Sequence, residues 1–432
     1  MIWKTKENST IGEKIHYMIL ENRPALYVLP KKGYHKKYAI FSTHFGSIDN
    51  CFWVKENGKE EKITVPDGVA HFLEHKLFDE EEGNIFDRFA AYGASANAFT
   101  SFTHTTYLFS CTDFFSENFR LLLEFVSNPY FTQESVDKEQ GIIGQEIRMY
   151  QDNPDWRVFF NLLEALYNTH PVRKDIAGSV ESIAKITKDA LYQCYRTFYH
   201  PGNMAIFVIG DVTLEEVLEQ VREVFAEENL TPTPEIKRVY PEEDTAINRQ
   251  RVVQELAVSQ PLLNLGFKDT YSNLKGRDLL FRELVAELLL EMIFARSEPL
   301  YSELYQEGLI DERFSAGYTA EITYGYTLIG GSTKDPDRLQ EKLLAGIRRV
   351  KEKGLQKESF IRHKRKARGR FLRSFNSLEF VANNYLDYRF REIDFFEVPD
   401  VLETITIEDL EKHLHEHLRE EQHAVSIVKP YQ

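Results

Sequence analysis

The alternation of apolar and polar residues predicts strands and helices mixed along the first half of the chain. Loose alternation over Lys37–Phe45 predicts a strand, and Ser95–Thr100 and Thr105–Cys111 predict two more. Helical spacing predicts helices over Phe115–Val126, Glu134–Tyr150 and Trp156–Tyr167. Asn203–Ile209 reads as a strand closed by Gly210-Asp211. Thr213 and Glu216 have capping-box spacing and start a helix expected to end near Glu227. Pro66-Asp67-Gly68 opens one further helix. The most apolar helical run, Leu284–Ala295, is interrupted by Glu287 and Glu291, which predicts a buried amphipathic helix and no membrane span.

Asn229–Ala246 breaks this rhythm. It holds Pro232, Pro234, Pro241 and the acidic run Glu242-Glu243-Asp244, and it reads as a semi-rigid linker. The second half repeats features of the first. Thr106–Cys111 and Gly325–Gly330 both open a strand followed by a polar turn and a helix. Phe131-Thr132-Gln133-Glu134-Ser135 is echoed by Leu355-Gln356-Lys357-Glu358-Ser359, and a long helix follows in both places. So long a period excludes a solenoid and suggests two related halves. The expected class is α+β. Two similar α/β halves span 1–228 and 247–432, joined by the linker at 229–246.

Composition narrows the function. The 432 residues are 42% hydrophobic and carry a net charge of −15, which argues against nucleic acid as the main partner. Three scattered cysteines, Cys51, Cys111 and Cys194, make neither a disulfide framework nor a cysteine metal site. With no signal-like apolar core at the start, a cytoplasmic protein is expected.

One pentapeptide points to chemistry. His71-Phe72-Leu73-Glu74-His75 places two imidazoles one helical turn apart with a carboxylate beside them. Two such imidazoles can grip a zinc ion, and the carboxylate can take a proton from a water held there. The order His-x-x-Glu-His is the reverse of the commoner metalloprotease motif. A catalytic zinc needs about three protein ligands, so a third must come from elsewhere. Glu139 and Glu146 share one face of a single predicted helix but sit ~10 Å apart along its axis. One would be a ligand and the other would support a ligand. Gly141 and Gly144 lie between them, and glycine there suggests that another helix, the one with the histidines, passes close.

The pentapeptide and the two downstream glutamates resemble the inverted zinc peptidases related to pitrilysin, insulin-degrading enzyme and the mitochondrial processing peptidase. The chain looks most like the small bacterial members that work in pairs, densely from about Lys37 to Asp211. The resemblance implies His71, His75 and Glu146 as ligands of one zinc per chain, Glu74 as general base, and Glu139 as an acid that orders the site. Gly93–Thr100 resembles the family's edge strand, so Ala96, Asn97 and Ala98 would pair with the substrate backbone. Tyr199–Met204 is also similar to the family. The implied activity is hydrolysis of peptides or unfolded polypeptides inside a chamber closed like a clamshell.

One segment departs from the family pattern. Active single-chain relatives carry an Arg and, seven residues later, a Tyr that hold the substrate carbonyl. Here Tyr305 stands where the Arg would, and Asp311 near where the Tyr would. Arg313 and Tyr318 lie nearby at the wrong spacing. The resemblance therefore implies the metal-bearing subunit of a heterodimer whose paralogous partner supplies the pair. A homodimer or lone chain using Arg313 or Tyr318, and a non-catalytic scaffold subunit, are the alternatives. Asp79–Glu82 reads as a solvated helix end, and the basic run Arg362–Arg373 as a solvated face or a contact for acidic groups.

Overall fold

The computed structural model describes residues 2–56, 59–79, 84–226, 232–271 and 273–431. Among these described residues, fifteen strands, in chain order, form the sheets. They are β1 (Lys4–Asn8), β2 (Glu13–Met18), β3 (Ala25–Pro30), β4 (Lys37–Thr43), β5 (Cys51–Glu56), β6 (Lys59–Thr64), β7 (Ser95–Thr100) and β8 (Thr105–Cys111) in the first part. Then come β9 (Met204–Gly210), β10 (Glu235–Arg238), β11 (Arg251–Glu255), β12 (Leu262–Lys268), β13 (Ser315–Ala320), β14 (Gly325–Ser332) and β15 (His423–Lys429).

The repeat read from the sequence is visible in the strand order. One sheet runs β1-β2-β3-β9-β4-β8-β7, and another runs β11-β15-β12-β14-β13. The last five strands of the first match the second in order and in sense. β3 is parallel to β9 and β11 to β15, and every other neighbouring pair within these sets of five is antiparallel. Strands β9 and β12 are buried at every position, so both faces of these sheet centres are covered. The chain is a mixed α/β protein with two related sheets.

Two compact units divide the chain differently from the expected 1–228 and 247–432. One comprises Met1–Ile147, Asp175–Tyr240 and Ser374–Phe390; the other Arg148–Lys174, Pro241–Arg373 and Arg391–Gln432. Each takes a helix from the other's expected range. Helix Pro154–Leu166 packs on β12 and β15, and Val158 shares a core cluster with Leu256, Leu262 and Val428. Gly266 in β12 admits this helix, since an added Cβ would stand 2.8 Å from Leu162. Helix Leu378–Phe390 packs on β4 and β9, with Tyr385 against the rings of Tyr27 and Phe207, 4.9 Å away in each case. An apolar stripe specifies that a helix must be covered, not which sheet covers it.

Part of the expected linker is also structured, because β10 pairs antiparallel with β5. The helix after Thr213 is Leu214–Val224, and its expected end near Glu227 lies outside the described residues. So do Glu80, Glu81 and Glu82 of the acidic cluster.

The close approach expected at Gly141 is absent. An added Cβ there would meet nothing within 4 Å. The glycine only weakens the helix Gln133–Gln151. Gly141→Ala is therefore expected to raise stability by roughly 0.5–1 kcal/mol in guanidinium unfolding. A loss of stability would mean that a partner surface covers this position.

Candidate metal centre

The helix Val69–Leu77 begins where the chain turns sharply. Gly68 caps it with φ 91°, and an added Cβ would stand 2.4 Å from the carbonyl oxygen of Ala177. Only glycine meets both conditions cheaply. The helix is buried nearly all round, with His71 and Glu74 less than a tenth exposed. It packs against β7 and β8. Such burial of polar groups demands partners, and the helix Gln133–Gln151 supplies two of them, Glu139 and Glu146.

The two imidazoles lie 4.6 Å apart between centroids. Glu146 Oε2 is 3.8 Å from His71 Nε2 and 3.5 Å from His75 Nε2. Glu139 Oε1 is 3.0 Å from His75 Nδ1. A carboxylate only accepts, so Nδ1 of His75 donates to Glu139, and its Nε2 lone pair faces Glu146. The two glutamates thus divide the work along the ring, as their axial separation requires. Glu74 sits beside them and accepts a 2.6 Å hydrogen bond from Thr100 Oγ1.

Electrostatics follow from burial. Burial, with the neighbouring His75, pushes His71 down to about 3, so it is a neutral donor near neutral pH. Burial works against the charged form of His75, but Glu139, Glu146 and Glu74 outweigh it and raise its pKa. Burial raises Glu74 against the opposing pull of the Thr100 hydrogen bond.

These residues fit a zinc ion. One donor atom each from His71, His75 and Glu146 lies within 4.8 Å of the others, the only such group of three among the described residues. Bonds near 2.0–2.1 Å in a tetrahedron place ligand atoms about 3.3 Å apart, close to the spacings here. Two imidazoles and one carboxylate form a common catalytic zinc set.

Strand β7, carrying Ala96, Asn97 and Ala98, is the end strand of its sheet and, among the described residues, pairs with β8 alone. Asn97 is exposed, and its Oδ1 accepts a hydrogen bond from the Ala98 amide at 2.9 Å.

The second unit places other groups at the repeat-related positions. At an offset of 224, helix Lys357–Ser374 carries His363 for Glu139 and Arg370 for Glu146. Arg370 and Lys366 hold Glu291 at 2.8 and 2.6 Å, and His363 Nε2 lies 2.7 Å from Glu298. Arg362 also pairs with Glu298, and Arg368 with Glu403. Much of the basic run therefore fastens its own helix to its own unit.

Tyr318 and Arg313 are committed as well. The Tyr318 hydroxyl donates to Asp269, which Arg282 grips with two bonds of 2.6 and 2.7 Å. Arg313 pairs with Asp311 at 3.0 Å.

Sequence reading missed a second His-x-x-Glu-His, at His413-Leu414-His415-Glu416-His417. Both outer histidines are buried on helix Ile407–His417 with centroids 5.0 Å apart. Burial, with the charge of Arg282 among the neighbours, keeps both pKa values low. No third acid or thiol completes this pair within ligand reach among the described residues. Glu416 instead accepts a bond from Tyr271. Thr100 was also missed as a partner of Glu74; its place at the end of a strand beside the histidine helix was the available signal.

The chain is thus a mixed α/β protein with two related sheets and, among the described residues, one half-buried His-His-Glu group built on an inverted His-x-x-Glu-His motif. The family described as Insulinase (Peptidase family M16) matches residues 61–180, and the description Peptidase M16 inactive domain matches 185–367. A Bacillus subtilis (strain 168) protein described as an uncharacterized zinc protease is 45% identical over 427 residues, covering 99% of each chain. A crystal structure of an M16-like peptidase from Alicyclobacillus acidocaldarius superposes with a TM-score of 0.92 at 39% identity, over 100% of this chain and 99% of that one. A Helicobacter pylori protease shares the fold, with a TM-score of 0.81 at 19% identity over 97% of this chain and 100% of that one. The chain belongs to the M16 peptidase family.

Proposed function

We propose that this chain is a zinc endopeptidase acting on peptides or unfolded polypeptides. The observation that carries the reading is the convergence of His71, His75 and Glu146 with Glu74 buried beside them. His71, His75 and Glu146 would hold one zinc per chain. Zinc bound there would acidify a water and polarise the scissile carbonyl. Glu74 takes the attacking water's proton and passes it to the leaving amine. Glu139 fixes the His75 ring through Nδ1 and makes its other nitrogen a better donor. The free edge of β7 at Ala96, Asn97 and Ala98 pairs with the substrate backbone.

The reading includes a partner. Charge developing on the carbonyl oxygen needs further donors, each worth about 3 kcal/mol. Tyr318 and Arg313 are the nearest candidates in sequence, and both are held by acids of their own unit. A paralogous subunit carrying the Arg and Tyr would supply them, with the complex working in the cytoplasm. The test is cleavage of an unfolded polypeptide by the zinc-loaded protein, with Glu74→Gln as control. Cleavage that the control keeps would remove the role given to Glu74.

A further inference from the structure

We infer that Thr100 is a positioning residue for Glu74, holding one carboxylate oxygen so that the other meets the water. This rests on the proposed peptidase reading. Thr100 closes β7, and its partner across the ladder is Thr105 of β8. Thr105 is fully buried, and its hydroxyl donates to the carbonyl oxygen of Phe45 at 2.9 Å. It therefore has no proton left for Thr100, 3.3 Å away. The single Thr100 proton goes to Glu74 Oε2, at the much shorter 2.6 Å. The two hydroxyl protons therefore point away from each other, that of Thr105 to the backbone and that of Thr100 to the carboxylate. A hydrogen bond to a charged acceptor of this length is among the stronger kinds. It leaves Oε1 as the oxygen free to accept a proton from water.

The repeat provides an internal comparison. At the same ladder position in the other sheet, Ala320 pairs with Gly325, 220 residues after Thr100 and Thr105 respectively. Both hydroxyls are missing from the half that shows no His-His-Glu group among the described residues. The same antiparallel ladder forms there without them.

The experiment uses the full chain with its zinc, and with the partner subunit if hydrolysis requires one. Thr100→Val keeps the β-branched shape and removes the donor; Thr100→Ser keeps the donor. Thr100→Val is expected to lower kcat about 10–100-fold, with KM and zinc content unchanged, and Thr100→Ser to restore most of it. In crystal structures of the variants, the Glu74 carboxylate should leave its position in Thr100→Val and keep it in Thr100→Ser, while His71, His75 and Glu146 stay in place. A Glu74 that does not move, or an unchanged kcat, overturns the inference. The crystallographic readout stands whether or not the chain hydrolyses peptides. Failure of the peptidase reading shows in the wild type alone, so the two failures are distinguishable.

Discussion

Glu74→Gln is expected to keep its zinc and lose peptide hydrolysis by about a thousandfold or more. The substitution preserves size and leaves an oxygen to accept the Thr100 hydrogen bond. It removes the basic oxygen that takes the water's proton, and general-base catalysis contributes roughly 10²–10⁴. Zinc should stay, because Glu74 is not among the three donors that converge within 4.8 Å. Glu74 is 8% exposed, so bulk water is a poor substitute base at this position. Assay of an unfolded polypeptide beside a zinc count reads both halves of the prediction. Hydrolysis within tenfold of wild type, with zinc bound, would transfer the base role to another group.

The second large effect concerns the partner. Alone, the zinc-loaded chain is expected to cleave slowly, and a paralogous subunit bearing the Arg and Tyr should raise its rate by about 10²–10³ for each donor supplied. The physical ground is local. Freeing the Tyr318 hydroxyl would strip a donor from Asp269, which is buried and holds Arg282. Burial pushes the Asp269 pKa up, but His417, the Arg282 guanidinium and the Tyr318 hydroxyl together hold it down to about 2, so this carboxylate keeps its charge and its need for donors. Arg313 would have to release Asp311. A full rate from the chain alone, unchanged by any partner, would mean that the donors come from within it. The comparison to run is initial rate against added subunit at fixed zinc-loaded chain.

The sequence revealed some layers of this structure better than others. Strands β7 and β8 fall where alternation and the flanking turn residues placed them. The helix that carries both glutamates begins one residue before its expected start, and its repeat-related copy begins 224 residues later. Those signals are local, since they depend on periodicity and turn chemistry. The exchange of helices Pro154–Leu166 and Leu378–Phe390 between the sheets is not local, and nothing in either apolar stripe encodes it. Strands β1 and β6 are short and largely polar, so alternation did not announce them. Strand β10 hid inside a proline-rich stretch whose composition suggested only a spacer.

The site carries a similar lesson. The His-x-x-Glu-His pentapeptide occurs twice, and geometry separates the two. His71 and His75 meet Glu146 from a second helix, whereas His413 and His417 meet Thr327 and the ring of Tyr318, in a cluster with Asp269 and Arg282. Glu139 and Glu146 were readable as a pair because seven residues return to one helix face. Gly141 lay between them for no packing reason that this fold displays.

The most direct test of the metal assignment is a zinc count on purified, folded protein, by competition with a calibrated chelator. One tightly held ion per chain is expected in the wild type and in His413→Ala/His417→Ala, and none in His71→Ala or Glu146→Ala. Zinc that survives the loss of His71 or Glu146, or that leaves with His413 and His417, would contradict the account.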